Sequence, residues 1–407
     1  MLIIRQKVFG TDKVAMSTYC ILFGKILRRL RLYINYLYDL FLFKSQTREA
    51  DLLLIKLDAI GDFVIWQASL AIYKQEFRGK KVILLCSDLV RPLALQDTFF
   101  SEVWGYDYYK FLFDIKYHIR FIRCLRSLSF DSIISSVYSR DKYVDRIVRL
   151  TIGKQKIGYI GNLSNITLKD RTKGNRYYTR LISNPIPDCK SEILINSYFV
   201  QQLFRKEFTL NLPYLNAVTL KGKRWVEGKY CVFCISASFS ARAWSVQHFS
   251  DLANYIPEEY QLVLLGHGVQ DEQKAYAFLQ KVKMSNRIVN LTGKTTLLDY
   301  ISIISNSAFV IGNDSSAVHI AAAVRVPSIC IAPGAHYNRF VPYPQELPGQ
   351  FYHPRVVSYQ MSCFGCDYRC KYPLKDELEC IRRVKLSMVL KELNELLVEL
   401  KKVNYEK

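Results

Sequence analysis

The stretch AFVIGNDSSAVHIAAAV (308–324) places Asp314, Ser315, Ser316 and His319 where an apolar run turns into a small-residue helix. Read as strand, turn and helix, it offers an anion the unpaired backbone N–H groups of a helix N-terminus, a place that both the free donors and the helix dipole make favourable for phosphate or diphosphate. Ser315 and Ser316 can donate hydroxyls to that anion, Asp314 can accept from a ligand hydroxyl, and His319, one turn on, can add a donor. The same spacing also suits a plainer reading, in which Asp314 or Ser315 caps the helix and His319 is a satisfied core histidine.

Two further segments carry residues of the right kind. In LDAIGDFV (57–64), Gly61 allows a tight turn after a strand, and Asp62 then heads the following helix. A carboxylate there can deprotonate a hydroxyl nucleophile, or it can be an N-cap. In SASFSARAWSVQHF (236–249), Ser238 and Arg242 lie in a loop where a diphosphate would need a hydroxyl and a forked cation. Trp244 reads as a packing residue.

A fourth cluster is of another type. Of the 11 cysteines, Cys363, Cys366, Cys370 and Cys380 form C-x2-C-x3-C-x9-C. That spacing is compatible with a structural tetrahedral metal site, with zinc the default for four thiolates and iron the alternative. Reduced free thiols and disulfides stay open. The N-terminus lacks a secretory signal, so the expected place is the cytosol, where a disulfide framework is disfavoured. Cys231 and Cys234, in YCVFCIS, read as small buried hydrophobes.

The elements that must hold these residues are legible as short continuous apolar runs. In the first half they are LLLIK (52–56), KKVILLCS (80–87) and FDSIISSVYS (130–139). In the second half they are YCVFCIS (230–236), YQLVLLG (260–266), RIVNLTG (287–293), AFVIGND (308–314) and PSICIAPG (327–334). Runs this continuous suit parallel strands buried on both faces, and helical patterns lie between them. The predicted fold is α/β, with two doubly wound Rossmann-like domains facing a central cleft, and ligands bind such crevices at the carboxyl ends of the strands. The domains are set at 51–215 and 216–384, followed by a C-terminal helix at 385–407 and preceded by a basic aromatic extension at 1–50.

Charge bears on the partner. The chain of 407 residues has 57 Lys and Arg against 36 Asp and Glu, a net +21, of which residues 1–50 hold +6 and residues 110–180 hold +11. An anionic partner follows, whether nucleic acid, a phosphorylated glycolipid or a membrane surface, unless the segments are simply soluble basic faces. YCILFGKILRRLRLYINYLYDLFLF (19–43) is too often interrupted by charge to span a bilayer. As an amphipathic helix it would lie in a membrane interface or pack as an extra helix.

Taken together, these segments resemble glycosyltransferase family 9, the heptosyltransferases of bacterial lipopolysaccharide assembly. The matching pieces are A-I-G-D at 59–62, the basic residue two before Trp at 242–244, LTGKTTLLDYISIISNSAFVIGNDSSAVHIAAA at 291–323, and the cysteine segment running into ECIRRVKLSMVLKEL. The resemblance covers about residues 51–395. It implies a two-domain GT-B fold, with the acceptor on the N-terminal domain and a nucleotide sugar, ADP-heptose, on the C-terminal one. It also implies an inverting displacement without a catalytic metal, Asp62 as base, and Arg242, Asp314, Ser315, Ser316 and His319 at the donor. Two positions depart from the family's pattern: Arg242 stands where Lys is usual, and Ser316 where Gly is common.

The expected partners are therefore ADP-heptose and an anionic glycolipid, met by an enzyme lying on the cytoplasmic face of the inner membrane, with no nucleic acid. Another family 9 donor or acceptor fits the same motifs. A nucleotide-sugar epimerase shares the fold but needs no such basic face. From outside the class, a nucleic-acid-binding protein would explain the charge, although no usual recognition motif is visible, and a noncatalytic membrane-bound scaffold would explain residues 19–43.

Overall fold

The computed structural model describes residues 48–183, 191–216, 225–283, 285–374 and 376–405. The expected interfacial helix at 19–43 lies outside the described residues. The chain divides into two compact units: one runs to Ala59 and resumes over Lys74–Ile186, the other comprises Ile60–Tyr73 and Pro187–Lys407.

The first unit holds β1 (Arg48–Lys56), β2 (Val82–Ser87), β3 (Glu102–Tyr106), β4 (Leu128–Ser135), β5 (Ile152–Tyr159) and β6 (Arg180–Ile182). They pair in the order β3-β2-β1-β4-β5-β6, with every neighbour parallel. Leu52, Leu53, Leu54 and Ile55 of β1 are fully buried, which is why this central strand reads as an unbroken apolar run. Leu53 and Ile55 pack with Ile83, Leu85, Ile122 and Ile133 in the core.

In the second unit, β7 (Tyr230–Cys234), β8 (Gln261–Leu264), β9 (Ile288–Asn290), β10 (Val310–Asn313), β11 (Ser328–Ile331) and β12 (Pro354–Val357) repeat the same topology, in the order β12-β11-β10-β7-β8-β9. All of these pairs are parallel as well. Strand order reverses between β7 and β10, so the carboxyl ends of these two strands form the switch-point crevice that ligands use in such sheets. Cys231 and Phe233 of β7 lie in the core with Ile311 and with Val389, Leu393 and Leu396 of the C-terminal helix Leu386–Tyr405.

Chain boundaries and unit boundaries differ from a simple halving. The second unit begins at Pro187, before residue 216, because Ile193 of the helix Glu192–Phe204 and Leu212 pack with Val318, Ala322 and Cys330. Ile65 joins the same cluster, so most of the helix Ile60–Glu76 is counted with the second unit although β1 before it belongs to the first. Gly61 is not a turn residue: it lies in the first turn of this helix. A Cβ there would come within 3.2 Å of His319 Cδ2 and 3.6 Å of Ser316 Cα, so the missing side chain serves close helix approach.

Candidate active site

Strand β10 ends at Asn313, and the helix Ser316–Ala323 begins three residues on. Ser315 is its N-cap with extended backbone, yet its side chain makes no capping hydrogen bond. The hydroxyl is thus not engaged by the helix it precedes. Asp314 is buried, and its N–H donates to Ile331 O at 3.0 Å.

Arg242 closes the other side. The chain leaves β7, passes Ser238 and makes a single 3-10 turn over Ser240–Arg242. The guanidinium donates from Nη2 to Ser238 Oγ at 2.7 Å and from Nη1 to Tyr368 OH at 3.1 Å, and Nη1 lies 4.0 Å from Asp314 Oδ2. Its Nε and the neighbouring Ser236 Oγ are buried without a hydrogen-bond partner among the described residues. Burial opposes the charge, but Tyr368, Asp314 and Asp62 outweigh it and hold the arginine pKa above its ordinary value. The site thus keeps a fixed cation with donor capacity left over, as bidentate anion recognition requires.

What fixes Arg242 there is Asn313, a residue the sequence did not single out. Fully buried, it accepts from Trp244 N–H at 2.8 Å and donates from Nδ2 to Ser236 O at 3.3 Å, stitching the β7 loop to the end of β10. Trp244 packs as expected, with its indole N–H donating to Val384 O at 2.8 Å.

Asp62 is the third residue of its helix and partly exposed. Its charge reaches both Arg242 and Arg339 and raises both. Arg339, another residue missed in the sequence, is clamped by the buried Glu192, with Nε and Nη2 each 3.3 Å from Oε2. Base candidate and anion site therefore stand within electrostatic range inside one unit.

His319 sits in the interior beside Tyr343. It is 3 % exposed, its Nδ1 is 3.0 Å from Tyr343 OH, and the two rings stack. Burial pushes its pKa down to about 4, against a small opposing pull from Asp314. The folded chain thus refuses a proton that the unfolded chain accepts below about pH 6.5, and stability falls as pH drops from there to about 4. The loss is on the order of 3 kcal/mol at 1.36 kcal/mol per pKa unit. Urea unfolding at pH 4.5 and 7 checks it: His319→Gln should lose much less stability than the unsubstituted chain, and equal losses would assign the slope elsewhere.

Cys363, Cys366, Cys370 and Cys380 line one cavity with Phe364 and Leu378. All four are free, with Cys370 exposed and the others partly so. Burial and the neighbouring Cys366 push the Cys370 thiol up to about 11. Among the described residues, no three His, Cys, Asp or Glu side chains are close enough to one another to hold a metal ion.

The basic segment 110–180 is not uniformly outward. Arg140 is buried, donating to Asp145 at 3.2 Å and to Asn175. Lys156 donates to Val148 O at 2.8 Å and Thr151 O at 2.7 Å, capping the helix Lys142–Leu150. Lys110, Lys116, Arg120, Arg123, Lys142, Lys169, Lys173 and Arg176 remain exposed. Among the described residues, no helix is long and apolar enough to cross a membrane.

Residues 193–346 match the model of Glycosyltransferase family 9 (heptosyltransferase). The match is confined to that segment, which is less than half of the chain. It contains β7 to β11, Arg242 and the Asn313–Ser316 turn. Lipooligosaccharide heptosyltransferase 2 of Haemophilus influenzae is 27 % identical over 186 residues, which are 43 % of this chain and 52 % of that protein. The chain thus spans about half the length of the curated relatives it matches. The solved structure of E. coli heptosyltransferase WaaC with ADP-2-deoxy-2-fluoro heptose is similar in fold, with a TM-score of 0.63 at 15 % identity over 86 % of this chain and 99 % of that one. Iron-containing heptosyltransferase TibC, solved with ADP-D-beta-D-heptose, is similar with a TM-score of 0.51 at 14 % identity over 88 % and 78 %. The fold is therefore GT-B.

Proposed function

We propose that this family 9 chain transfers a heptose from ADP-heptose to a hydroxyl of lipopolysaccharide core or a related surface glycan, with inversion at the anomeric carbon. The observation that carries the reading is Arg242, held by Ser238 and Tyr368 beside Asp314 at the switch point, with the uncapped N-terminus of the helix Ser316–Ala323 alongside. The heptosyltransferase names of the relatives and the ADP-sugar in the WaaC structure support the choice of donor.

In this mechanism the Asp62 carboxylate takes the proton of the acceptor hydroxyl. The freed oxygen pair forms the new bond to the anomeric carbon, while the bond to the diphosphate breaks on the opposite face and its electrons leave with the diphosphate. Arg242, Ser238, the hydroxyls of Ser315 and Ser316 and the helix N–H groups stabilise the charge that develops there. Asp314 accepts from a donor hydroxyl. His319, neutral and bonded to Tyr343, supports the turn from behind.

The exposed lysines and arginines of 110–180 hold the anionic acceptor and draw the enzyme to the cytoplasmic face of the inner membrane. A thermal-shift panel of ADP, UDP, GDP and CMP tests the donor, because a ligand that binds only the folded chain raises its melting temperature. Selective stabilisation by ADP is expected. A selective response to UDP or GDP would keep the transferase and discard the heptose.

The thiol cavity has the donor chemistry for a thiophilic metal. Cys363, Cys366, Cys370 and Cys380, which line the cavity but do not stand close enough to ligate one ion as placed here, would have to draw together around zinc or iron as a structural cross-link outside the bond-making step, and the iron named for TibC favours this assignment. Elemental analysis of purified protein should find about one such ion per chain, lost in Cys366→Ser/Cys370→Ser. A chain that carries no such ion, or that melts at the same temperature with the ion and after its removal, would refute it.

A further inference from the structure

The cysteine loop also delivers a side chain to the anion-binding arginine. Tyr368 stands between Cys366 and Cys370. Its hydroxyl accepts from Arg242 Nη1 at 3.1 Å, and its ring centre lies 6.0 Å from the guanidinium carbon. The ring meets Phe239, in the loop of Ser238 and Arg242, edge-on at 6.0 Å, and His336 at 4.8 Å.

The surrounding loop leaves this tyrosine little freedom. Asp367 and Tyr368 adopt left-handed backbone, with φ 48° and 60°, a region uncommon for residues other than glycine and kept only where neighbours impose it. Those neighbours are visible. Gly365 N–H donates to Gly334 O at 2.8 Å, Asp367 N–H to Ala335 O at 3.1 Å, and the Asp367 carboxylate meets His336 Nε2 at 2.7 Å. Downstream, Leu378 N–H donates to Ala241 O at 2.8 Å, so the segment also braces the residue next to Arg242.

A free arginine must lose rotamer freedom on binding an anion, and ordering it beforehand removes that cost. Ser238 on Nη2 and Tyr368 on Nη1 pin both ends of the fork. Unlike Asp314, a tyrosine hydroxyl brings no negative charge to compete with an incoming diphosphate.

We propose that Tyr368 is a positioning residue for Arg242, and that the four-cysteine loop acts on diphosphate binding through this contact. The proposal rests on reading Arg242 as a diphosphate ligand. Calorimetric titration of ADP and of inorganic pyrophosphate onto the full chain tests it, in the unsubstituted protein, Tyr368→Phe, Arg242→Lys and the double variant. Tyr368→Phe should weaken both ligands about three- to tenfold, the range of one net hydrogen bond, without lowering the melting temperature of the ligand-free chain. In the Arg242→Lys background it should cost nothing further, because the coupling runs through the arginine. Equal losses in both backgrounds, or none in either, would overturn the proposal while leaving the diphosphate reading in place. Failure of the unsubstituted chain to bind either ligand would overturn that reading and the proposal together. Cys370→Ser should weaken binding only when Tyr368 is present; an undiminished loss in the Tyr368→Phe background would remove the loop from the argument.

Discussion

Asp62→Asn is expected to lower the rate of sugar transfer by about 10²- to 10⁴-fold, the span that a positioned general base contributes. The substitution keeps the shape of the side chain and removes its charge and basicity. Asp62 lies within electrostatic range of Arg242 and Arg339, and a bound diphosphate would add negative charge near the carboxylate. ADP should therefore bind the variant as well as before, or better, since one repulsion is gone. Arg242 keeps Asp314 and Arg339 keeps Glu192, so neither cation is stranded when the carboxylate disappears. Single-turnover transfer and ADP titration separate the two effects. Full transfer activity would remove Asp62 from the mechanism, whereas a parallel loss of ADP affinity would make it part of the donor site instead.

Arg242→Ala should lower kcat/KM by about 10²- to 10³-fold, the scale of removing one preorganised donor from a developing charge in a water-excluded site. Part of this loss belongs to ground-state affinity for ADP, because the guanidinium meets the diphosphate before as well as during bond breaking. Arg242→Lys should recover the charge but not the fork, and so fall between the two. The lysine could not reproduce the paired contacts to Ser238 and Tyr368. If Arg242→Lys equalled the unsubstituted chain, charge alone would suffice and the bidentate geometry would be irrelevant. If Arg242→Ala left ADP affinity and kcat/KM intact, the diphosphate would have to bind elsewhere.

The central strands were readable because burial on both faces demands unbroken apolar runs: β1, β2 and β4 in one sheet, and β7, β8, β10 and β11 in the other. The strands that escaped notice were mostly peripheral. β3, β6 and β12 are sheet edges, and β5, IGKQKIGY, adjoins one, whereas β9, the remaining edge, was legible in RIVNLTG. An edge strand buries less and tolerates polar residues, so its run is broken and its signal weak. Gly61 was flagged for the wrong reason. Its value depends on His319 lying against it, which no local pattern reveals.

Local pattern carried much of the site as well. A strand running into Asn-Asp-Ser-Ser and then alanines specifies a helix N-terminus at a carboxyl strand end, since φ/ψ preferences and hydrogen-bond supply are properties of neighbouring residues. The A-I-G-D and A-R-A-W segments carried the resemblance to the family only together with the stretch 291–323 and the cysteine segment, in their order along the chain. Long-range placement was not available in this way. Tyr368 reaches Arg242 across 126 residues, and Asn313 reaches Trp244 across 69. The partner of His319, Tyr343, lies 24 residues on, and the helix after β1 joined the second unit through the packing of Ile65. The sequence by itself determined which residues can bind an anion or take a proton, and on which local element each sits. The tertiary structure decided which of them share a site and which polar groups brace them, because packing alone sets distances between residues far apart in the chain.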